Sequence, residues 1–329
     1  MIWTLLILFL IQQASAGSFP GTTTDFHVGI KTLKFTDVAR TRNIDMRIWY
    51  PVDTVNPAKV LFDGPVFLPV NAIEDAPIAK APTKFPLIIL SHGSGGLGIR
   101  LSWLAEFLVR HGYIVVTLDH PGNRAQDNSP EGLMRVWERP KDVSFVLSQT
   151  LKDREFANHI DATRIGAAGH SAGGTTVLLL AGVRLDKKRL ANPIPGCAGS
   201  DPYFLQLCEG MKKLNPKKYA TEDVECSYRD DRIRAVASFD PGFGPSFNPE
   251  SFKSAKTKIL VLAAGTLHDP ADELFTASLR DSLGLGSFEL IKEADHMTFL
   301  TPCKPGVEVT IPDVADVCWR SVDRARLQE

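Results

Sequence analysis

The chain has 329 residues and a formal net charge of −1 at pH 7, and 44% of its residues are hydrophobic. This length and composition are enough to bury the core of one large α/β domain or of two small ones. The near-neutral charge argues against the strongly basic surface that nucleic acids require, so we expect no nucleic-acid partner. The oligomeric state does not follow from the sequence.

The N-terminal sixteen residues have the features of a secretory signal peptide. Trp3–Ile11 is an apolar run, and Ala14–Ala16 is a small-x-small cleavage sequence. The run is shorter than the roughly 20 residues that cross a bilayer. It lacks a preceding Lys or Arg, so an uncleaved anchor is the alternative. We expect residues 1–16 to be a signal peptide and residues 17–329 to form a secreted or periplasmic domain.

The first half of the mature chain changes from an antiparallel to a parallel pattern. Alternating apolar residues over 26–50 predict a hairpin at the edge of the sheet, and residues 52–84 predict a long surface loop. The continuous apolar runs Phe85–Leu90 and Tyr113–Leu118 are typical of parallel strands buried on both faces. Leu101–His111 between them has helical spacing.

The second half continues this alternation of strands and helices, which predicts a doubly wound, mostly parallel sheet in a single domain. Residues 184–231 interrupt it with three cysteines and three lysine pairs. We interpret this insertion as a cap or lid. The alternative is a solvent-exposed segment with no role at the site. The predicted strands are Arg164–Ala168, Arg234–Phe239, Lys258–Ala263 and Phe288–Ile291, and the predicted helices are Arg139–Ala157, the segment from Ala172, and Pro312–Leu327.

The five cysteines suit an exported protein, in which disulfides can form. No Cys-x-x-Cys pair occurs, which argues against zinc or thioredoxin-type chemistry, and we expect neither a metal nor a cofactor. We predict a bridge between Cys303 and Cys318. Cys197, Cys208 and Cys226 share the insertion, so one of them should be unpaired.

Ala168–Gly174 contains a Gly-x-Ser-x-Gly pattern centred on Ser171. A predicted strand precedes it and an apolar, helix-forming run follows it. This order is the nucleophile elbow of an α/β-hydrolase. A side chain at Gly169 or Gly173 would collide with the neighbouring strand and helix. We predict that Ser171 is a catalytic nucleophile.

A serine nucleophile needs a base and an acid, which follow it along the chain in this fold. His296 comes after the last predicted strand and is our candidate base. Asp240 follows the strand after the elbow, and Asp269 follows the next strand, so spacing alone leaves both open as the acid. Asp272 and Asp295 are weaker candidates, because one begins a helix and the other adjoins the histidine.

An oxyanion hole requires two backbone N–H donors. We assign one to Ala172, directly after the nucleophile, and the other to Ser94, in the glycine-rich loop Ser91–Gly96, which we name the oxyanion loop. The rival interpretation of this loop is a phosphate cradle. It lacks the Lys-Ser/Thr ending of a P-loop and the spacing of a dinucleotide fingerprint.

With these motifs the sequence resembles plasma-type platelet-activating-factor acetylhydrolases and predicted dienelactone hydrolases. The resemblance implies an α/β-hydrolase fold and favours Asp240, since the acetylhydrolases place their acid after the strand that follows the elbow. Bacterial dienelactone-hydrolase-like relatives place it one strand later, so Asp269 stays open. True dienelactone hydrolases use cysteine, so lactone specificity is not implied. The segments that carry the resemblance are His92–Gly96, Gly169–Gly174, Ser238–Asp240 and Asp295–Phe299, with Arg47–Pro51 and the Cys303 segment on the dienelactone-hydrolase-like side.

We therefore expect a secreted serine hydrolase that cleaves short-acyl carboxylic esters through Ser171, His296 and Asp240. Its partners would be small-molecule or lipid esters, with peripheral contact at a lipid surface as a further expectation. A polyester or cutinase-like hydrolase is one alternative, and a non-catalytic binding protein on the same fold is another.

Other residues near these motifs have structural interpretations. We expect His92 to brace the oxyanion loop, His120 to make a structural hydrogen bond and His170 to pack behind the elbow. Three phenylalanines fit either the core or an acyl pocket: Phe243, Phe247 and Phe299.

Overall fold

The structure is a computed structural model that describes residues 26–53, 58–191, 223–265, 279–283, 287–311 and 314–318. The predicted signal peptide, residues 192–222 of the predicted insertion and both Asp269 and Asp272 lie outside the described residues. The domain boundaries therefore stay predictions. Among the helices of the described ranges, none combines the length and apolar character of a membrane span.

Ten strands of the described residues form one mixed sheet, in the order β10-β9-β8-β7-β5-β6-β2-β1-β4-β3. The six strands from β10 to β6 are parallel to one another, and β1 and β2 form an antiparallel hairpin that joins β6 through β2. The predicted fold class is thereby confirmed. The strands are β1 (His27–Asp37), β2 (Arg42–Val52), β3 (Lys59–Leu61), β4 (Val70–Glu74), β5 (Phe85–Ser91), β6 (Ile114–Leu118), β7 (Ile160–His170), β8 (Ile233–Phe239), β9 (Lys258–Ala264) and β10 (Phe288–Ile291).

The predicted surface loop over residues 52–84 is wrong in part, because it contains β3 and β4. β4 pairs in parallel with β1, and β3 pairs antiparallel with β4. These two strands extend the sheet beyond the first hairpin. Val70 and Ala72 of β4 are buried, so this segment adds to the core as well as to the surface.

Helices cover both faces of the sheet, as a doubly wound fold requires. In β5, Leu87 and Ile89 belong to one apolar cluster, and Ile88 and Leu90 belong to the cluster on the opposite face. The helices are α1 (Ser102–Arg110), α2 (Pro130–Met134), α3 (Glu138–Thr150), α4 (Ala172–Leu180), α5 (Lys187–Ala191), α6 (Pro249–Ser254), α7 (Val307–Thr310) and α8 (Ala315–Cys318). Helix α1 packs in the second cluster, whereas α3 and α4 pack in the first.

Two predicted helices differ from the structure. The helix predicted over Arg139–Ala157 ends at Thr150, where turns replace it. Of the helix predicted over Pro312–Leu327, the described residues contain the short helix α8, which the separate short helix α7 precedes. The rest of that segment lies outside the described residues.

The two ends of the predicted insertion pack against the body of the domain. Leu185 and Val224 are each 1% exposed, and the Asp230 N–H donates to the carbonyl of Leu180 at 3.1 Å. These ends belong to the core, so a cap could involve only residues between them.

The predicted disulfide between Cys303 and Cys318 is confirmed. Cys226 is a free, exposed cysteine, which identifies an unpaired member of the three in the insertion. Cys197 and Cys208 lie outside the described residues.

Candidate active site

The candidate residues lie where neighbouring parallel strands end. Ser171 directly follows β7 and Asp240 directly follows β8, while His296 follows β10 after a short turn. The glycine-rich loop with Ser94 follows β5, which pairs with β7. Because parallel strands have their carboxyl ends at one edge of the sheet, these four segments meet there.

Ser171 occupies the sharp turn between β7 and α4 that the pattern predicts. Its backbone angles are φ 55° and ψ −118°, which a non-glycine residue rarely adopts. A Cβ on Gly169 would lie 2.3 Å from the carbonyl oxygen of Gly173, and a Cβ on Gly173 would lie 1.9 Å from that of Ser91. Both glycines are therefore required by close backbone approach to the helix and the strand, as predicted.

The loop after β8 is held against the nucleophile by backbone hydrogen bonds. The Asp240 N–H donates to the Leu262 carbonyl at 2.8 Å, and the Gly242 N–H donates to the Ser171 carbonyl at 3.0 Å. The Thr175 hydroxyl donates to the Gly242 carbonyl at 2.5 Å. These bonds fix Asp240, whose φ is 41°, beside the end of β9.

Asp240 and His296 contact each other directly. The His296 Nδ1 lies 2.5 Å from Asp240 Oδ2, and the other carboxylate oxygen accepts the Ala264 N–H at 3.1 Å. A carboxylate only accepts, so Nδ1 carries a proton and Nε2 of a neutral imidazole is left as a base. The His296 side chain is 38% exposed and that of Asp240 is 16% exposed, so the imidazole is the more accessible of the two.

His170 connects the histidine to the nucleophile segment. Its Nε2 donates to the His296 carbonyl at 2.7 Å, and the two rings lie 4.5 Å apart between centroids. Since His170 directly precedes Ser171, this bond fixes the His296 backbone next to the elbow. Asp295 and Thr298 add a capping box to the turn His296–Phe299, which gives Asp295 a structural role.

The oxyanion loop lies against the elbow and is braced by His92. A Cβ on Gly93 would lie 3.3 Å from the Ser171 Cβ. His92 Nδ1 donates to the Gly93 carbonyl at 2.6 Å, and its Nε2 accepts the His120 N–H at 3.0 Å. Burial and the charge of Arg139 lower the pKa of His92 well below its ordinary value, so the ring is neutral. This agrees with the bracing role expected of it.

His120 belongs to a Ser-His-Asp chain that is buried beneath the loop. Its Nε2 lies 2.9 Å from the Ser91 hydroxyl, and its Nδ1 lies 3.0 Å from Asp142 Oδ2. All three side chains are fully buried, so no substrate reaches them. Burial, with the charge of Arg139, lowers the pKa of His120 to about 3. The expected structural role of His120 is thus supported.

Two anchors of the oxyanion loop, Arg139 and Asn123, were missed from the sequence. Arg139 donates to the His92 carbonyl and, at 2.5 Å, to Asn123 Oδ1. Both side chains are 1% exposed. A signal was available for Arg139, because the apolar residues Val143, Val146 and Leu147 follow it at helical spacing and place it on the apolar face of the predicted helix. Asn123 follows a turn and has no comparable signal.

The three phenylalanines considered for an acyl pocket divide unequally. Phe247 and Phe299 are fully buried and pack against Phe252 and Phe239, respectively, which makes them core residues. Phe243 lies in the loop that follows β8, is partly buried and packs against the first apolar cluster. Within the described residues, no three His, Cys, Asp or Glu side chains are grouped as metal ligands would be.

Comparison with known proteins finds relatives over part of the chain. Cutinase est2 of Thermobifida alba is 33% identical over 103 residues, which are 31% of this chain and 31% of that protein. A probable 1-alkyl-2-acetylglycerophosphocholine esterase of Arthroderma benhamiae is 31% identical over 110 residues, 28% of this chain and 27% of that protein. The chain thus covers less than a third of the length of these two curated relatives.

A solved structure and a family model match more of the chain. The ferulic acid esterase from Streptomyces cinnamoneus aligns with a TM-score of 0.61 and 21% identity, over 94% of this chain and 87% of that one, which shows a shared fold. The model of the alpha/beta hydrolase family matches residues 88–308. That range includes the elbow, both members of the Asp–His pair and the oxyanion loop, and the chain belongs to the alpha/beta hydrolase family.

Proposed function

We propose that this protein hydrolyses carboxylic esters, with Ser171 as nucleophile, His296 as general base and Asp240 as the acid that orients it. The observation that carries the proposal is the hydrogen bond of 2.5 Å between His296 and Asp240, at the sheet edge where the elbow presents Ser171. Asp240 is favoured over Asp269 because it makes this bond. The relatives named cutinase and esterase support the reaction class.

In the first half-reaction, the Ser171 hydroxyl attacks the ester carbonyl carbon and its proton passes to His296 Nε2. Asp240 holds the Nδ1 proton and stabilises the imidazolium that forms. The backbone N–H groups of Ala172 and Ser94 would hold the oxyanion. Ala172 is the first residue of α4, so the positive end of the helix dipole adds to this stabilisation. The alcohol then leaves with the proton from His296.

The second half-reaction repeats these steps with water. His296 removes a proton from a water molecule as its oxygen attacks the acyl-Ser171 carbonyl. The tetrahedral intermediate collapses, the carboxylic acid is released and the serine hydroxyl recovers its proton. No step requires a group other than the protein and water.

For the substrate, we propose short-acyl esters, including acetyl esters of phospholipids. The relative named as an acetylglycerophosphocholine esterase supports this choice. The second candidate is a cutinase-like activity on polyesters, which the relatives named cutinase favour. We also propose export, which the Cys303–Cys318 bridge supports because disulfides persist in oxidising compartments.

A fluorophosphonate probe tests the nucleophile. We expect the wild type to be labelled and Ser171→Ala to be unlabelled. Ser91→Ala is the matched control, because Ser91 also lies in a Ser-His-Asp chain but is fully buried. Labelling of Ser171→Ala would show that another serine reacts, and an unlabelled wild type would favour a non-catalytic binding protein.

A series of p-nitrophenyl esters and a polyester film test the substrate class. The proposal expects kcat/KM to be highest for acetyl and butyryl esters. A maximum at long acyl chains, or release of soluble products from the film at a comparable rate, would favour the second candidate.

A further inference from the structure

We infer that Asn123 is a positioning residue for the oxyanion loop, acting through the side chain of Ser94. This inference rests on the proposed function, since it concerns the loop that would supply the second oxyanion donor. Asn123 Nδ2 lies 3.0 Å from Ser94 Oγ, and Asn123 Oδ1 lies 2.5 Å from Arg139 Nη1. Two hydrogen bonds thus connect the buried Arg139 to Ser94 in the loop through Asn123.

The orientation of the Asn123 amide follows from its partners. A guanidinium group has only donors, so the amide oxygen has to face Arg139. The NH2 group therefore faces Ser94, whose hydroxyl oxygen accepts one of its hydrogens, while Asn128 Oδ1 accepts at 2.9 Å from the same nitrogen. Flipping the amide would place its NH2 group against the guanidinium, which also only donates, so the Asn123 amide has a single allowed orientation.

The anchor at the buried end is rigid. Arg139 is 1% exposed, and its Nε donates to Thr176 Oγ1 of α4 at 3.0 Å. It also donates to the carbonyl of His92, two residues before Ser94. Asn123 is itself 1% exposed, and its backbone N–H donates to the His120 carbonyl at 3.1 Å. Arg139 therefore fixes the start of the loop through the His92 carbonyl, and Asn123 links Arg139 to the Ser94 side chain.

The expected consequence concerns the transition state. The Ser94 N–H belongs to the peptide unit whose Gly93 carbonyl accepts from His92 Nδ1 at 2.6 Å and from the Gly96 N–H at 3.1 Å, so one side of Ser94 is held. The glycines on both sides of Ser94 leave backbone freedom beyond these two bonds. A side-chain hydrogen bond from Ser94 to a buried amide limits that remaining freedom. Removal of one oxyanion donor costs roughly 10²–10³ in kcat in enzymes of this type, and a misdirected donor should lose part of that amount.

The test is a double-mutant cycle on unlabelled enzyme, once the probe has shown that the wild type carries a reactive serine and the wild type is active. We expect Asn123→Ala to lower kcat for p-nitrophenyl acetate at least about tenfold while KM changes less than about threefold. Ser94→Ala keeps the backbone N–H but removes the same hydrogen bond, so it should lower kcat similarly. The double variant should have a kcat close to that of the less active single variant, because both substitutions remove the same hydrogen bond. If Asn123→Ala does not fold, Ser94→Ala alone tests the same bond.

Asn128→Ala is the matched control. It removes the other acceptor of the same Asn123 nitrogen, from an exposed side chain, and should leave kcat within about twofold of the wild type. An unchanged kcat in Asn123→Ala and Ser94→Ala, or fully additive losses, would overturn the inference. An inactive and unlabelled wild type would instead reject the proposed function, so the two failures are distinguishable.

Discussion

Three non-glycine residues with positive φ lie close together at the candidate site: Ser171, Asp240 and Phe243, with φ of 55°, 41° and 60°. Such conformations cost on the order of 1–3 kcal/mol each and persist only where the surroundings hold them. Here the backbone bonds of Asp240 to Leu262 and of Gly242 to Ser171 do so. The local strain therefore presents the hydroxyl and the carboxylate toward the same edge.

The carboxylate of Asp240 should be essential for the rate but not for the fold. We expect Asp240→Asn to lower kcat by about 10⁴-fold, because an amide donor no longer fixes the Nδ1–H tautomer of His296. Steady-state kinetics with p-nitrophenyl acetate, alongside a thermal melt, measure both effects. Asp269→Asn is the matched comparison, and a larger loss in that variant would assign the acid to residue 269.

Gly242 should set the size of the group that binds beside the nucleophile. A Cβ there would lie 3.8 Å from Ser171 Oγ and 3.5 Å from the Ala172 nitrogen, which are ordinary contact distances. We expect Gly242→Ala to fold normally and to lower kcat/KM about tenfold or more for octanoyl relative to acetyl esters. Gly64→Ala, where a Cβ meets nothing within 4 Å, is the control. An equal loss for all chain lengths would contradict a role in size selection.

At the level of single residues, the catalytic candidates were predictable where the reaction requires a recognisable sequence motif or a fixed position in the fold. Ser171 is marked by its glycines, and His296 by its place after the last strand. The helix pattern places Arg139 on an apolar face, but its partners lie far along the chain, and Asn123 has no such pattern. Polarity alone does not indicate which polar side chains become buried. Spacing alone also could not separate Asp240 from Asp269, because each follows a predicted parallel strand.

At the level of elements, continuous apolar strands and the short β10 were predictable, whereas β3 and β4 were not. β5, β6 and β9 are continuous apolar runs and lie within one or two residues of their predicted bounds. β3 has three residues, among many prolines, and is defined by its pairing with β4. Pairing between distant segments depends on tertiary context, which local propensity does not contain.

The disulfide should stabilise the segment that follows His296. The bridge joins residues 15 apart, and the segment also bonds to the rest of the domain through Thr301 to Arg100 and Lys304 to Val66. We expect replacement of Cys303 and Cys318 by serine to lower the free energy of unfolding by about 3 kcal/mol. Urea unfolding measures this loss. Cys226→Ser is the control for a free cysteine, and an equal loss there would contradict the assignment.

At the level of the whole molecule, topology explains how residues 171, 240 and 296 can meet. The strands β7, β8, β9 and β10 are parallel neighbours, so the ends of consecutive strand–helix units come to one edge without any local sequence contact. This rule made the edge predictable. Beneath this edge, buried polar side chains form a hydrogen-bonded network that includes His92 and His120. Because these groups are buried in the folded state, the network makes the free energy of unfolding depend on pH.

Acid should destabilise the protein below about pH 6.5 because His92 and His120 are buried and neutral. Burial lowers both pKa values in the folded state, that of His120 to about 3, whereas histidine in an unfolded chain titrates near 6.5. Below pH 6.5 the unfolded state therefore binds two more protons there, and the free energy of unfolding falls. Glu106 acts in the opposite direction, because burial raises its pKa to about 7 from 4.5. The net uptake on unfolding between pH 6 and 5 should be about one proton.

Urea unfolding at pH 7, 6, 5.5 and 5 measures this slope, which should be about 1.4 kcal/mol per pH unit for one proton. Glu106→Gln removes the opposing group from α1, so its slope should rise toward two protons. His120→Gln removes one buried histidine and should lower the slope toward zero, with the exposed His111→Gln as the control for loss of a histidine. Stability that increases from pH 6.5 to 5, or a slope that neither Glu106→Gln nor His120→Gln changes, would contradict the assignment of these buried groups.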